Sequence, residues 1–401
     1  KLDKTSLPAS ILAPASYSAT EDNSLWRDHV AWPVSHRENR DNGLALVDCF
    51  IEELRAANPW ARNILLLGGQ MVVSTALPWI LLGRAMDSET ETAIRLSGRL
   101  RQMDYLRGTL SLADLGQDAA SWFRPQARPN HLTLRRLARI SSWAGQLATP
   151  ASLLFPQATA ISHNPLLRDE ARHGDLRVGF RHCEAIYAEA LAASVPLDAE
   201  ECQRVLALSH AFLQRLLQVV SLSEVISRRL AEAFQQMADD ILSKAARDLK
   251  MMARHRSLPT VIWAGTGGYW SSRLIGLEVM RRGGKVTRFQ HGSSPGLLKI
   301  TSPIALTELS VSTEFVTASG KTAELLRSGD AQKHIAPYNE VSIRGGRGEQ
   351  HILELARRNQ PRKTARRKVL YGPTILCGFR QFVPAILPDP LHLDWQMRLA
   401  E

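Results

Sequence analysis

Apolar and polar positions along this chain keep two rhythms, which change over near residue 260. From about residue 198 to residue 255 the apolar positions recur every three or four. Ile226, Leu230, Phe234, Met237, Ile241, Ala245, Leu249 and Met252 fall on one stripe. That spacing predicts helix with a core-facing side rather than a binding groove. Pro259 closes the helical region, and Val261–Ala264 is a short apolar run that breaks into Gly265-Thr266-Gly267-Gly268. Helical spacing returns at Leu274, Leu277 and Val279-Met280 and stops at Gly283-Gly284. Residues 285–290 are β-rich and run into His291-Gly292-Ser293-Ser294. Strand, glycine turn, helix, glycine stop and strand predict a right-handed parallel βαβ unit. Ligands of such sheets bind at the carboxyl ends of the strands, where both glycine-rich loops fall.

The same reading places helices at residues 44–57, 89–106 and 132–148, and a β-compatible run at 152–161. His163-Asn164-Pro165 marks a turn before another helix. Beyond the βαβ unit, Glu314–Thr317 reads as a strand entering Ala318-Ser319-Gly320, with a helix over 321–327. Residues 63–83 carry no charge, which is long enough for a membrane span. Gly68-Gly69-Gln70, Ser74-Thr75 and Pro78 make it a poor one. The expectation is a buried strand at 64–67 feeding a turn and a helix inside the fold. No internal repeat interrupts this order.

Composition narrows the class. At 401 residues, with 44% hydrophobic and 22% charged residues, the chain has material for two or three globular domains. Cys49, Cys183, Cys202 and Cys377 are scattered with no C-x-x-C pair, which points to a reducing, cytoplasmic setting. No signal-peptide pattern opens the sequence, and a first residue of Lys1 leads us to expect a missing start. The net charge of +11 is uneven. Between Arg344 and Lys368, nine basic residues stand against Glu349 and Glu354. A solvated linker is the plain reading. Attraction to an anionic membrane surface or a phosphorylated substrate is the sharper one. No zinc-finger spacing, RNP-like strand or basic recognition helix supports nucleic acid as a partner.

The candidate chemistry lies in the two loops. Gly265-Thr266-Gly267-Gly268 fails as a dinucleotide fingerprint, because the third glycine position is Trp270 and the ribose-binding carboxylate is replaced by Gln290-His291. No G-K-[ST] follows, so it is not a P-loop either. What remains is a tight turn at a helix N-terminus, able to receive an anion or hydroxyl-rich ligand through backbone N–H groups. His291 stands at a strand exit beside Gly292, Ser293 and Ser294. An imidazole there can take a proton from a sugar or polyol hydroxyl, or simply bond the loop. His163 has similar placement in a plainer context. His173, His182 and Cys183 lack a fourth ligand at fixed spacing, so no metal site is expected. There is no G-x-S-x-G elbow.

From residue 260 to residue 374 the order of features resembles the bacterial surface-polysaccharide and wall-polymer transferases of GT-B type, including teichoic-acid glycerophosphotransferases. Gln290-His291-Gly292 matches the loop that closes a strand of their first Rossmann-like domain. Val369-Leu370-Tyr371-Gly372-Pro373-Thr374 matches the strand that opens their nucleotide-binding domain. His-Gly-Ser-Ser departs from the family's usual His-Gly-Gly or His-Gly-Thr.

The resemblance implies an α/β fold, a Rossmann-like GT-B N-terminal half with a large helical elaboration and the start of a second Rossmann-like domain. The expected division is an N-terminal extension at 1–60, an acceptor-side domain with helical insertion at 61–340, a basic linker at 341–368 and a truncated donor-side start at 369–401. It further implies transfer of a glycosyl or glycerophosphoryl-type group from a nucleotide-sugar or CDP-polyol donor to a glycan or lipid-linked acceptor. His291 would be the general base, and no cofactor or metal would be needed. Gly265, Thr266, Gly267, Gly268, Gln290, Gly292, Ser293 and Ser294 would contact substrate, with Tyr371, Pro373 and Thr374 across the cleft. The protein would be cytoplasmic, peripheral to the inner membrane. Glu401 is expected not to be the natural end, with about 130–200 residues beyond it. A non-catalytic, membrane-peripheral polysaccharide-assembly protein and a nucleotide-sugar epimerase are the alternatives.

Overall fold

A computed structural model of the chain describes residues 36–87, 93–95, 109–111, 156–265, 267–291, 302–329, 339–348, 354 and 357–358. The helix expected at 132–148 and the strand opening at 369 lie outside the described residues.

The first described element is helix α1 (His36–Ala56), which falls wholly in the region read as an N-terminal extension. It is part of the core: Leu46, Phe50 and Leu54 are buried. Asn58 then caps α2 (Pro59–Ile64), accepting the Ala61 N–H at 3.0 Å, with Pro59 at the first helical position. The expected strand at 64–67 does not form. Leu65–Gly69 is a π-helical turn leading directly into α3 (Gln70–Asp87). Packing explains the difference. A Cβ on Gly69 would sit 2.7 Å from the Phe50 ring, and one on Gly68 would sit 3.0 Å from Leu242. The glycines admit neighbouring helices rather than turning the chain. Two helical glycines cost about 1 kcal/mol each. Burial of Leu65, Leu66, Leu67, Val72 and Ile80 contributes roughly 1.5–3 kcal/mol each and outweighs that. The stretch Pro59–Leu81, with a mean hydropathy of 1.8, is long and apolar enough to cross a membrane, yet 82% of its most apolar part is buried inside the protein.

Residues 93–95, expected to be helical, instead form β1 (Ala93–Arg95), antiparallel to β2 (Thr109–Ser111) with Ile94 opposite Leu110. Cross-strand pairing overrides a weak helical period.

The main sheet follows the expected pattern. In chain order come β3 (Ala158–Ala160), α4 (Pro165–His173), β4 (Val178–Phe180), α5 (Cys183–Ala190), α6 (Ala199–Val219), α7 (Glu224–Arg254), β5 (Val261–Ala264), α8 (Trp270–Arg281), β6 (Lys285–Phe289), α9 (Ser302–Thr307), β7 (Glu314–Thr317), α10 (Gly320–Ser328) and β8 (Ser342–Gly345). Six strands pair in parallel in the order β4-β3-β5-β6-β7-β8. The mixed architecture, with a parallel sheet and a majority of helices, is compatible with a Rossmann-like α/β fold. Edge strand β8 lies within the segment read as a linker from residue 341, so the sheet continues past that boundary.

The strands alternate between two faces. Ile262, Ala264 and Val286 join the α1, α3, α6, α7 and α8 residues in one apolar cluster. Trp263, Phe289 and Val316 face Leu166 and Leu167 of α4 on the opposite side. The stripe on α7 is core, as its spacing predicts, with Leu230, Phe234, Ile241 and Met252 fully enclosed. Helix α6 starts in a capping box between Asp198 and Glu201.

Candidate functional site

The chain runs from β3 out to β4, then crosses back to β5 on the other side of β3. The switch in direction therefore lies between β3 and β5, and in open α/β sheets the crevice at such a point is where ligands bind. The loops leaving β3 and β5 meet there. Gly265 N–H donates to Ser162 Oγ at 2.7 Å. Asn164 caps α4 by accepting the Leu167 N–H at 2.9 Å, and its Nδ2 donates to the Gln290 carbonyl at 3.1 Å. One buried asparagine thus ties the exits of β3 and β6 together.

The predicted residues fall into two groups. Gly265, Gly267, Gly268, Gln290 and His291 all lie at the carboxyl edge, as the βαβ pattern predicts. Thr266, Gly292, Ser293, Ser294, Tyr371, Pro373 and Thr374 lie outside the described residues. Within the first group the roles differ. The N–H groups of Gly265 and Gly267 do not face an open pocket, because Ser162 and Glu308 accept from them. Glu308 accepts the Gly267 N–H through Oε2 at 2.8 Å, so a carboxylate of the protein occupies the place proposed for a ligand anion. Gly268 is exposed at the start of α8, beside Tyr269. Gln290 is buried; its Oε1 accepts the Ala318 N–H at 2.9 Å and its own N–H reaches the Val316 carbonyl. It joins the ends of β6 and β7.

His291 presents an imidazole with 57% of its side chain exposed, and its Nδ1 is 3.5 Å from Glu308 Oε1. Two guanidinium groups are buried on α8 and β6. Arg273 donates to the carbonyls of Gly267 (3.1 Å), Thr307 (3.1 Å), Leu306 (2.9 Å) and Leu66, and to Ser310 Oγ at 3.0 Å. Arg288 donates to the Val311 carbonyl at 3.0 Å and to Ser272. Burial pushes the Arg288 guanidinium down to about 10, opposed by the charge of Glu308, so it stays a cation at neutral pH.

His163 is exposed at the exit of β3, its ring 5.0 Å from Phe180. The three side chains set aside as metal ligands have other partners. His173 Nδ1 bonds the Asp169 carbonyl, His182 caps α5 through the Glu184 N–H, and Cys183 contacts Ser271.

Sequence reasoning missed Glu308, Asn164 and Ser162. A lone Glu in the apolar stretch before Ser310 was a usable signal for Glu308, since a buried carboxylate needs a partner. Comparison with known protein families, with curated proteins and with solved structures finds no match.

Proposed function

We propose that this chain is the acceptor-side part of a GT-B-type transferase. It moves a glycosyl or glycerophosphoryl-type group from a nucleotide-sugar or CDP-polyol donor to a surface glycan or lipid-linked acceptor. The observation that carries this reading is the half-exposed imidazole of His291 at the carboxyl end of a parallel strand, with a buried carboxylate behind it. A base belongs where an acceptor hydroxyl can enter from solvent while the protein holds the base from below.

In the reaction, His291 removes the proton of the acceptor hydroxyl as its oxygen bonds to the transferred carbon or phosphorus. The bond to the donor's phosphate oxygen breaks, and that electron pair leaves with the nucleotide. The buried cations Arg273 and Arg288 fix the scaffold around the base. The nucleotide side of the site belongs to Tyr371, Pro373 and Thr374, and the basic segment up to Lys368 docks the protein, cytoplasmic and peripheral, on an anionic inner-membrane surface.

The test is His291→Ala in the complete protein, with turnover measured at saturating donor and acceptor. Transfer should slow by roughly 10²–10⁴-fold, with thermal unfolding almost unchanged because the side chain is exposed. Near-normal transfer by the variant would remove His291 from the chemistry. Sugar isomerisation without transfer would favour an epimerase, and donor binding without turnover a non-catalytic assembly role.

A further inference from the structure

A base at a strand exit works only if one ring nitrogen is unprotonated and faces the substrate. A neutral imidazole carries its proton on either nitrogen, and the partner of one nitrogen decides the state of the other. The partner here is Glu308, whose side chain is 6% exposed and whose two oxygens point to different groups. Oε2 accepts the Gly267 N–H at 2.8 Å, while Oε1 faces His291 Nδ1 at 3.5 Å. Gly267 is held by Arg273 at its carbonyl and lies so close to α9 that a Cβ there would be 2.1 Å from the Thr307 carbonyl oxygen. The glycine turn therefore fixes Glu308, whose other oxygen stands 3.5 Å from the imidazole.

We propose that Glu308 is the positioning residue for His291: the carboxylate, aimed by the Gly267 N–H, holds the proton on Nδ1 and turns an unprotonated Nε2 toward the acceptor hydroxyl. An ionised carboxylate only accepts hydrogen bonds, so the tautomer with hydrogen on Nδ1 is the one it stabilises. When the acceptor proton moves to Nε2, the imidazolium faces a carboxylate that is already in place and needs no rearrangement. The assignment of the base rests on the function proposed above. The tautomer does not, because it belongs to the protein without substrate.

The experiment is a long-range ¹H–¹⁵N correlation spectrum of the histidine rings, at about pH 8.5 where imidazoles are neutral, with His291→Ala supplying the signal assignment. The expected spectrum shows His291 protonated on Nδ1. Glu308→Gln keeps an oxygen for the Gly267 N–H but can turn its amide to donate to Nδ1, and the signal should move to the Nε2-protonated pattern. Turnover of that variant should fall at least roughly 10- to 100-fold, the span seen when the partner orienting a metal-bound histidine is mutated, with KM little changed. A wild-type His291 protonated on Nε2 overturns the proposal even if Glu308→Gln fails to fold. An unchanged tautomer and unchanged turnover in a folded Glu308→Gln also overturn it. Near-normal turnover of His291→Ala alongside an Nδ1-protonated ring would instead sink the base assignment and leave the pairing intact.

Discussion

At the scale of single residues, the glycines of this protein separate into those that space the fold and those that merely occur in it. Gly267 has the Thr307 carbonyl oxygen 2.1 Å from where a Cβ would stand, whereas Gly320, at the start of α10, has nothing within 4 Å. Gly267→Ala must push the turn away from α9 and drag its N–H off Glu308. The expected loss is about 1–3 kcal/mol, the range for forcing atoms into a packed site. Gly320→Ala should be neutral or slightly stabilising. Urea unfolding of the two variants checks the pair, and equal effects would show that the close approach at Gly267 is not a constraint. The sequence made the glycine turn legible as a turn, but not its purpose. The pattern G-T-G-G reads the same whether its N–H groups meet a ligand or a Glu 41 residues further on.

Among the elements, those with a strong local period were readable and those defined by a distant partner were not. The stripe on α7, the glycine-bounded α8 and strands β5, β6 and β7 all follow from spacing and turn residues. Residues 64–67 were misread because four apolar residues before two glycines suit a strand exit and a helix contact equally. Only Phe50 and Leu242, far away in sequence, decide between them. Strand β8 was hidden by its charges. Arg344, counted as part of a solvated basic run, is an ion-pair centre on the α4 face of the sheet, 2.7 Å from Glu314 and 2.9 Å from Glu170. Burial alone would raise the Glu314 carboxyl, but hydrogen bonds from Arg344 and Thr287 outweigh it and hold it below its ordinary value. A carboxyl lowered on folding stabilises the protein above its unfolded value of 4.5, and that contribution disappears as the pH falls through the lowered folded value. Glu314→Gln should therefore be less stable than wild type at neutral pH, and the gap should close on going to about pH 3. Denaturant unfolding at both pH values measures it; a gap that does not change with pH would mean that the pair does not anchor β8.

For the whole molecule, the question is whether the helical layer of α1, α3, α6 and α7 is an appendage or part of the same folding unit as the sheet. The apolar cluster is continuous across both, from Phe50 through Ile241 to Ile262 and Val286. Arg273 adds a polar joint at one point of that boundary. It lies in α8 and is 1% exposed, and its guanidinium reaches Leu66 in the π-helical turn, Gly267 in the glycine turn and Leu306 and Thr307 in α9. A π-helical turn leaves a backbone carbonyl out of register with the regular ladder, and Arg273 supplies Leu66 with a donor there. Three elements thus converge on one side chain, which also holds the carbonyl of Gly267, the residue whose N–H donates to Glu308. Arg273→Met keeps much of the volume but withdraws the donors, each worth about 1.5–3 kcal/mol when charged. With partial relaxation, the net loss should be about 3–5 kcal/mol. Hydrogen exchange followed by mass spectrometry distinguishes the two architectures. In a single unit, peptides from α3 and α7 and peptides from β5 and β6 should lose protection together in the variant. If α3 alone exchanges faster while β5 and β6 keep wild-type protection, the helical layer is an independent body and Arg273 only pins its edge.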